Sequence, residues 1–109
     1  MRSEERQAMS LLAHLLMQNG LAAKSVALLE GLDVVQPNQP PTLRALAVAQ
    51  LRSSQPAEAL QTLDRLALLG DTLPVLGLLR AQGLLAAGRK EEAQIEMAQF
   101  LARRRENET

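Results

Sequence analysis

The chain has no cysteine, tryptophan or tyrosine, and one phenylalanine, Phe100. Without thiols there is no disulfide framework and no thiolate metal site, and the composition fits a reducing compartment. With almost no aromatic faces, base stacking is not a credible way to hold a nucleic acid strand. Net charge is also absent: 12 basic residues balance 12 acidic ones. No basic excess draws the chain to nucleic acid or to an anionic membrane surface. The longest apolar-looking run, Leu73 to Ala87, is broken by Arg80 and Gln82. It is shorter than the ~20 apolar residues a bilayer span needs. Four of the first six residues are charged, with no apolar core behind them, which is not the pattern of a secretory signal. There is one histidine, His14, and no helical histidine pair, so a metal site lacks ligands. No nucleophile elbow, phosphate loop or dinucleotide turn occurs. The expectation is no enzyme, no cofactor and no metal.

What remains is leucine and alanine. Apolar residues make up 47% of 109 and charged residues 22%, a balance that suits one compact domain over residues 1–109. Leucine and alanine are the strongest apolar helix formers, so a core built from them is helical by propensity but loosely specified in shape.

These residues recur on a fixed ruler of 34. Turn residues fall at Gly20, Ser54 and Gly88. Small residues fall at Ala13, Ala47 and Ala81, and again at Ser25, Ala59 and Ala93. Large apolar residues fall at Leu29, Leu63 and Met97, and at Leu32, Leu66 and Phe100. Small residues stand where two helices of a hairpin must approach, and large ones where they interlock.

The local signals agree. Ser3 reads as the cap of a first helix, with Glu4 and Glu5 in its opening turn. Asn19-Gly20 stops it, and a second helix runs from about Leu21 to Val35, ending before Pro37. A third follows from about Pro41 to Ser53, and a fourth from Pro56 to Gly70. Asp71 or Thr72 reads as the cap of a fifth, which Gly88 closes. The sixth runs from about Arg89 to Arg104, with the residues from Glu106 onward expected to fray. No helix is left over to cap the sixth, whose polar side carries Gln94, Glu96, Gln99 and Arg103.

The period and the columns resemble the tetratricopeptide repeat. The implied fold is all-α: three tetratricopeptide-like helical hairpins, six helices, in a right-handed superhelical stack, with repeats at about 4–37, 40–71 and 74–105. In such stacks the first helix of each hairpin lines the concave face. Carried onto this chain, that gives the columns Ser10, Arg44, Leu78; His14, Val48, Gln82; and Met17, Leu51, Leu85. Leu11, Ala45 and Leu79 lie beside them, and Val75 opens the fifth helix. The candidate partner-binding groove is therefore Leu11, His14, Met17, Arg44, Val48, Leu51, Val75, Leu78, Leu79, Gln82 and Leu85.

Two readings of these residues stand side by side. Either they fill the interior of a tightly curled stack, or they form an open apolar groove for another polypeptide. Arg44 and Arg80 either send their charge to solvent over a buried stem, pair within the stack, or meet a carboxylate on a partner. Gly77 and Gly83, inside the fifth helix, either let a neighbouring helix come close or open a notch for a partner side chain.

A narrower resemblance rests on Asn19-Gly20-Leu21, Leu28-Leu29, Pro37, Leu43-Arg44-Ala45-Leu46-Ala47, Leu78-Leu79-Arg80-Ala81 and Gly88-Arg89-Lys90-Glu91-Glu92-Ala93. With these the chain is similar to the small tetratricopeptide chaperones of bacterial type III secretion, nearest to the YscY (SctY) family. The resemblance implies a cytoplasmic bacterial chaperone in a hetero-oligomer with a small, partly hydrophobic secreted substrate of the YscX kind. It also implies a link to the export gate, with no nucleic acid and no membrane insertion. Needle-subunit chaperones of the YscG kind and translocator chaperones of the LcrH kind are similar in shape. A generic repeat scaffold in another assembly is the alternative outside secretion.

Overall fold

The computed structural model describes residues 2–108. Six helices follow one another: α1 (Ser3–Gln18), α2 (Ala22–Val35), α3 (Pro40–Arg52), α4 (Pro56–Leu68), α5 (Val75–Ala86) and α6 (Lys90–Glu108). No strand occurs among the described residues.

The turn inside each hairpin is built the same way three times. Gly20, Ser54 and Gly88 take φ of 75°, 62° and 79°. The amide after each reaches back five residues: Leu21 N to Leu16 O, Gln55 N to Gln50 O and Arg89 N to Leu84 O, each at 2.8 Å. The amide of the turn residue itself bonds to Met17, Leu51 or Leu85. This double closure satisfies helix-end carbonyls that would otherwise face the neighbouring helix. It also sets the angle at which the second helix folds back.

The helix starts differ from expectation. Ser3 is the first helical residue, Arg2 stands at the cap position, and no side chain caps the helix. Asp71 and Thr72 do not cap α5 either; Pro74 holds that position. Asp71 Oδ1 instead accepts from the Leu73 amide at 3.3 Å, an Asx-type turn placed too early to serve the helix. Pro40 and Pro56, whose missing amides cost nothing in a first turn, start α3 and α4. At the other end α6 continues through Glu108 rather than stopping near Arg104.

Each helix packs on the next, and α1 also meets α3 as α3 meets α5. The backbones of α2, α4 and α6 do not come close to one another, although the long Arg65 side chain of α4 reaches Asp33 of α2. The leading helices therefore form a contiguous inner line, with the returning helices splayed outside it. The result is a stack of helical hairpins measuring 39 × 30 × 24 Å.

The recurring columns are the core. Ala13, Ala47 and Ala81 are buried, as are Ser25, Ala59 and Ala93. Ser25 keeps its hydroxyl satisfied by donating to the Ala13 carbonyl across the hairpin at 2.9 Å. Leu29, Leu32, Leu63 and Leu66 are buried, whereas their third-hairpin counterparts Met97 and Phe100 are half-buried. No following helix covers the third hairpin. One buried polar contact ties α3 to α4: Thr62 Oγ1 donates to Gln50 Oε1 at 2.7 Å.

Candidate interaction surface

The expected groove residues divide by hairpin. On α3, Arg44, Val48 and Leu51 are half-buried because α5 lies over them. Leu51 Cδ2 is 3.5 Å from where a Cβ on Gly83 would stand. Arg44 Nη1 lies 3.5 Å from Asp71 Oδ2, pairing α3 with the α4–α5 connector. That carboxylate oxygen is buried and accepts no hydrogen bond, so Arg44 is the charge that offsets its burial. On this hairpin the stripe belongs to the seam between repeats.

On α1 the same stripe is more open. His14 is exposed, Leu11 is 59% exposed, and Met17 is half-buried against the core. Leu12 and Leu15 are exposed beside them, on the face a preceding helix would cover. On α5, Val75, Gln82 and Leu85 are exposed, Leu85 by 61%, while Leu78 and Leu79 are half-buried. The structure thus brings Val75, Leu78, Gln82 and Leu85 together as one stripe of α5 at the open end of the stack. It separates them from Leu11 and His14 at the other end.

The two glycines of α5 do different jobs. A Cβ on Gly83 would stand 3.0 Å from Leu60 Cδ2, so this glycine lets α5 sit close on α4. A Cβ on Gly77 would meet Phe100 and Arg103 at 3.8 Å and beyond, an ordinary contact. Arg80 pairs with Asp64 of α4, Nη2 to Oδ1 at 2.9 Å. It floors a polar cleft between α4 and α6 whose walls include Leu60, Leu84, Glu92 and Glu96. Both arginines are therefore paired inside the stack.

One ionic cluster pins the α2–α3 connector. Arg65 of α4 clasps Asp33 of α2 with two bonds, 2.8 and 2.9 Å, and reaches Asn38 Oδ1 at 2.8 Å. The Asn38 amide, at φ 61°, donates to Asp33 Oδ1 at 3.1 Å. The Arg65 guanidinium, hydrogen-bonded to Asp33, holds that carboxyl below its usual range, and Arg65 is pushed up in return.

Sequence reasoning passed over two further exposed apolar side chains. Val34 and Leu68, 79% and 89% exposed, close α2 and α4 in the same repeat phase. The 34-residue ruler would have paired them, but nothing in a sequence separates an exposed leucine from a buried one at a helix end.

Among the described residues there is no group of three or more His, Asp or Glu side chains that could hold a metal ion. Nor is any helix there long and apolar enough to cross a membrane. Compared with known proteins, the chain matches no family model and no curated sequence.

Proposed function

We propose that this chain is a chaperone of type III secretion that binds and shields a small, partly hydrophobic export substrate of the YscX kind. The observation that carries a binding role is the uncovered apolar surface at the two ends of the stack: Leu11, Leu12 and Leu15 on α1, and Val75 and Leu85 on α5. Single exposed leucines are ordinary, but rows of them on faces that a repeat neighbour would cover are docking surfaces. The secretion assignment itself rests on the resemblance of Leu43-Arg44-Ala45-Leu46-Ala47 and Gly88-Arg89-Lys90-Glu91-Glu92-Ala93 to that family.

In this reading the chain is cytoplasmic, works in a hetero-oligomer and carries no catalytic group. It covers an aggregation-prone helical segment of its partner until the export gate takes it over. Needle-subunit and translocator chaperones would use the same surfaces for other substrates. A partner bound at 100 times its Kd stabilises the folded state by about 2.7 kcal/mol. Co-expression with a small secreted protein encoded alongside should therefore raise the melting temperature by roughly 10 °C. An unchanged melting temperature, or a gene neighbourhood without secretion components, would favour the generic scaffold instead.

A further inference from the structure

Among the described residues, the first two hairpins each hand their far side to a following helix, and the third does not. That far side, between α5 and α6, is a hollow of about 310 Å³ whose one charged lining residue is Lys90 and whose other walls are Ala81, Gln82, Leu85, Ala93, Gln94 and Met97. One repeat earlier the same positions are Ala47, Val48, Leu51, Ala59, Leu60 and Leu63. Those residues are part of the wall on which α5 sits, with Gly83 placed against Leu60 and Leu51. One repeat earlier again, α3 meets the first hairpin with the fully buried Ala49 in the phase of Gly83. Where α5 sits, the arriving helix thus brings glycine to the point where the wall brings its larger side chains, and α3 carries the equally small Ala49 in that phase.

We propose that the α5–α6 hollow is the seat of a single amphipathic helix from the partner protein. That helix lies where a seventh helix of the stack would lie and turns a glycine or alanine onto Leu85 and Gln94. The inference rests on the chaperone reading for the existence of a partner and adds which surface is used and what the occupant must carry. The repeat geometry also argues against the leading helix of a second copy as occupant. In the phase of Ala49 and Gly83, α1 carries Leu15. At Gly83 even a Cβ would stand 3.0 Å from a wall side chain. A leucine there holds the helix off the wall.

The seat is tested first without any partner. A copy of residues 71–88 is joined to the C-terminus of the full chain through a flexible glycine-serine linker of ~20 residues, which spans roughly 25 Å. The melting temperature is read by circular dichroism. The expected result is a rise of about 5 °C or more. That rise should vanish with Gly83→Leu in the appended copy, or with Leu85→Asp in the host. No rise, or an equal rise in all three proteins, overturns the seat. So does a two-fold dimer of the unfused chain by light scattering that Leu85→Asp dissociates, because a second copy then owns the surface.

The partner arm is read separately. Leu85→Asp should lose at least ten-fold in affinity for the co-expressed secreted protein, and Ala27→Asp, at an exposed position of α2 outside both candidate surfaces, should lose little. If the fusion gains stability and no secreted partner binds, the chaperone reading fails and the seat remains. If the partner binds wild type and Leu85→Asp equally, the chaperone reading holds and the seat fails.

Discussion

Gly83 and Gly77 look alike in the sequence, two glycines in one helix, yet the chain treats them oppositely. Gly83 stands against Leu60, so Gly83→Ala must displace that leucine and should destabilise the fold by about 1 kcal/mol. Gly77 has room for a methyl group, so Gly77→Ala should stabilise by roughly 0.5–1 kcal/mol through helix propensity alone. Urea unfolding of the two variants reads the difference directly, as shifts of the midpoint in opposite directions.

The Asp33–Arg65–Asn38 cluster yields a second prediction at this scale. Because the folded carboxyl is held below its ordinary value, its stabilisation is present above the unfolded pKa of about 3.9 and is lost as pH falls through the folded one. Arg65 is more than a third exposed, so solvent screening keeps the contribution near 1 kcal/mol despite the two-pronged geometry. Asp33→Asn should therefore be less stable than wild type at pH 7. The gap should narrow as pH falls through and below the ordinary carboxylate range, and unfolding curves taken from neutral to acid pH check it.

Among the elements, the hairpin turn is the most regular part of the molecule. It is formed by glycine twice and by Ser54 once, at φ 62°. A side chain in that left-handed region costs energy that glycine does not. Ser54 is exposed. Ser54→Gly should thus stabilise by about 0.5–1 kcal/mol, after the greater freedom of glycine in the unfolded chain is subtracted. A melting temperature higher by a few degrees is the expected result; a fall would mean that the serine side chain has a role beyond the turn. The connectors between hairpins are not regular. One is held by Arg65 from a helix a repeat away, the other by a glycine turn at Gly70 and the Arg44–Asp71 pair.

Taken as a whole, the stack is stable in its middle and open at its ends. Helices α3 and α4 have neighbours on both sides, while α6 has only α5. Met97 and Phe100 keep partial exposure where Leu63 and Leu66 have none to speak of. In a repeat array each unit is held by its own packing and by its neighbours, so a unit with one neighbour opens first. Native-state hydrogen exchange should show the slowest amides in α3 and α4 and the fastest helical amides in α6. Slow exchange in α6 equal to that of α3 would mean a more rigid end than the packing describes.

The 34-residue recurrence by itself determined six helices, three hairpins and the buried alanine columns, because helix period and turn chemistry are local and are written three times over. It also placed Gly20, Ser54 and Gly88 in one backbone role. It could not separate Gly77 from Gly83, or find that Arg44 and Arg80 are paired within the stack. Those outcomes depend on which residue of a different helix stands opposite. Nor could it tell which face of each leading helix stays open. Leu51 and Leu85 occupy the same place in the repeat, yet only the tertiary structure, in which α5 lies over one and nothing follows over the other, makes one a seam residue and the other a surface.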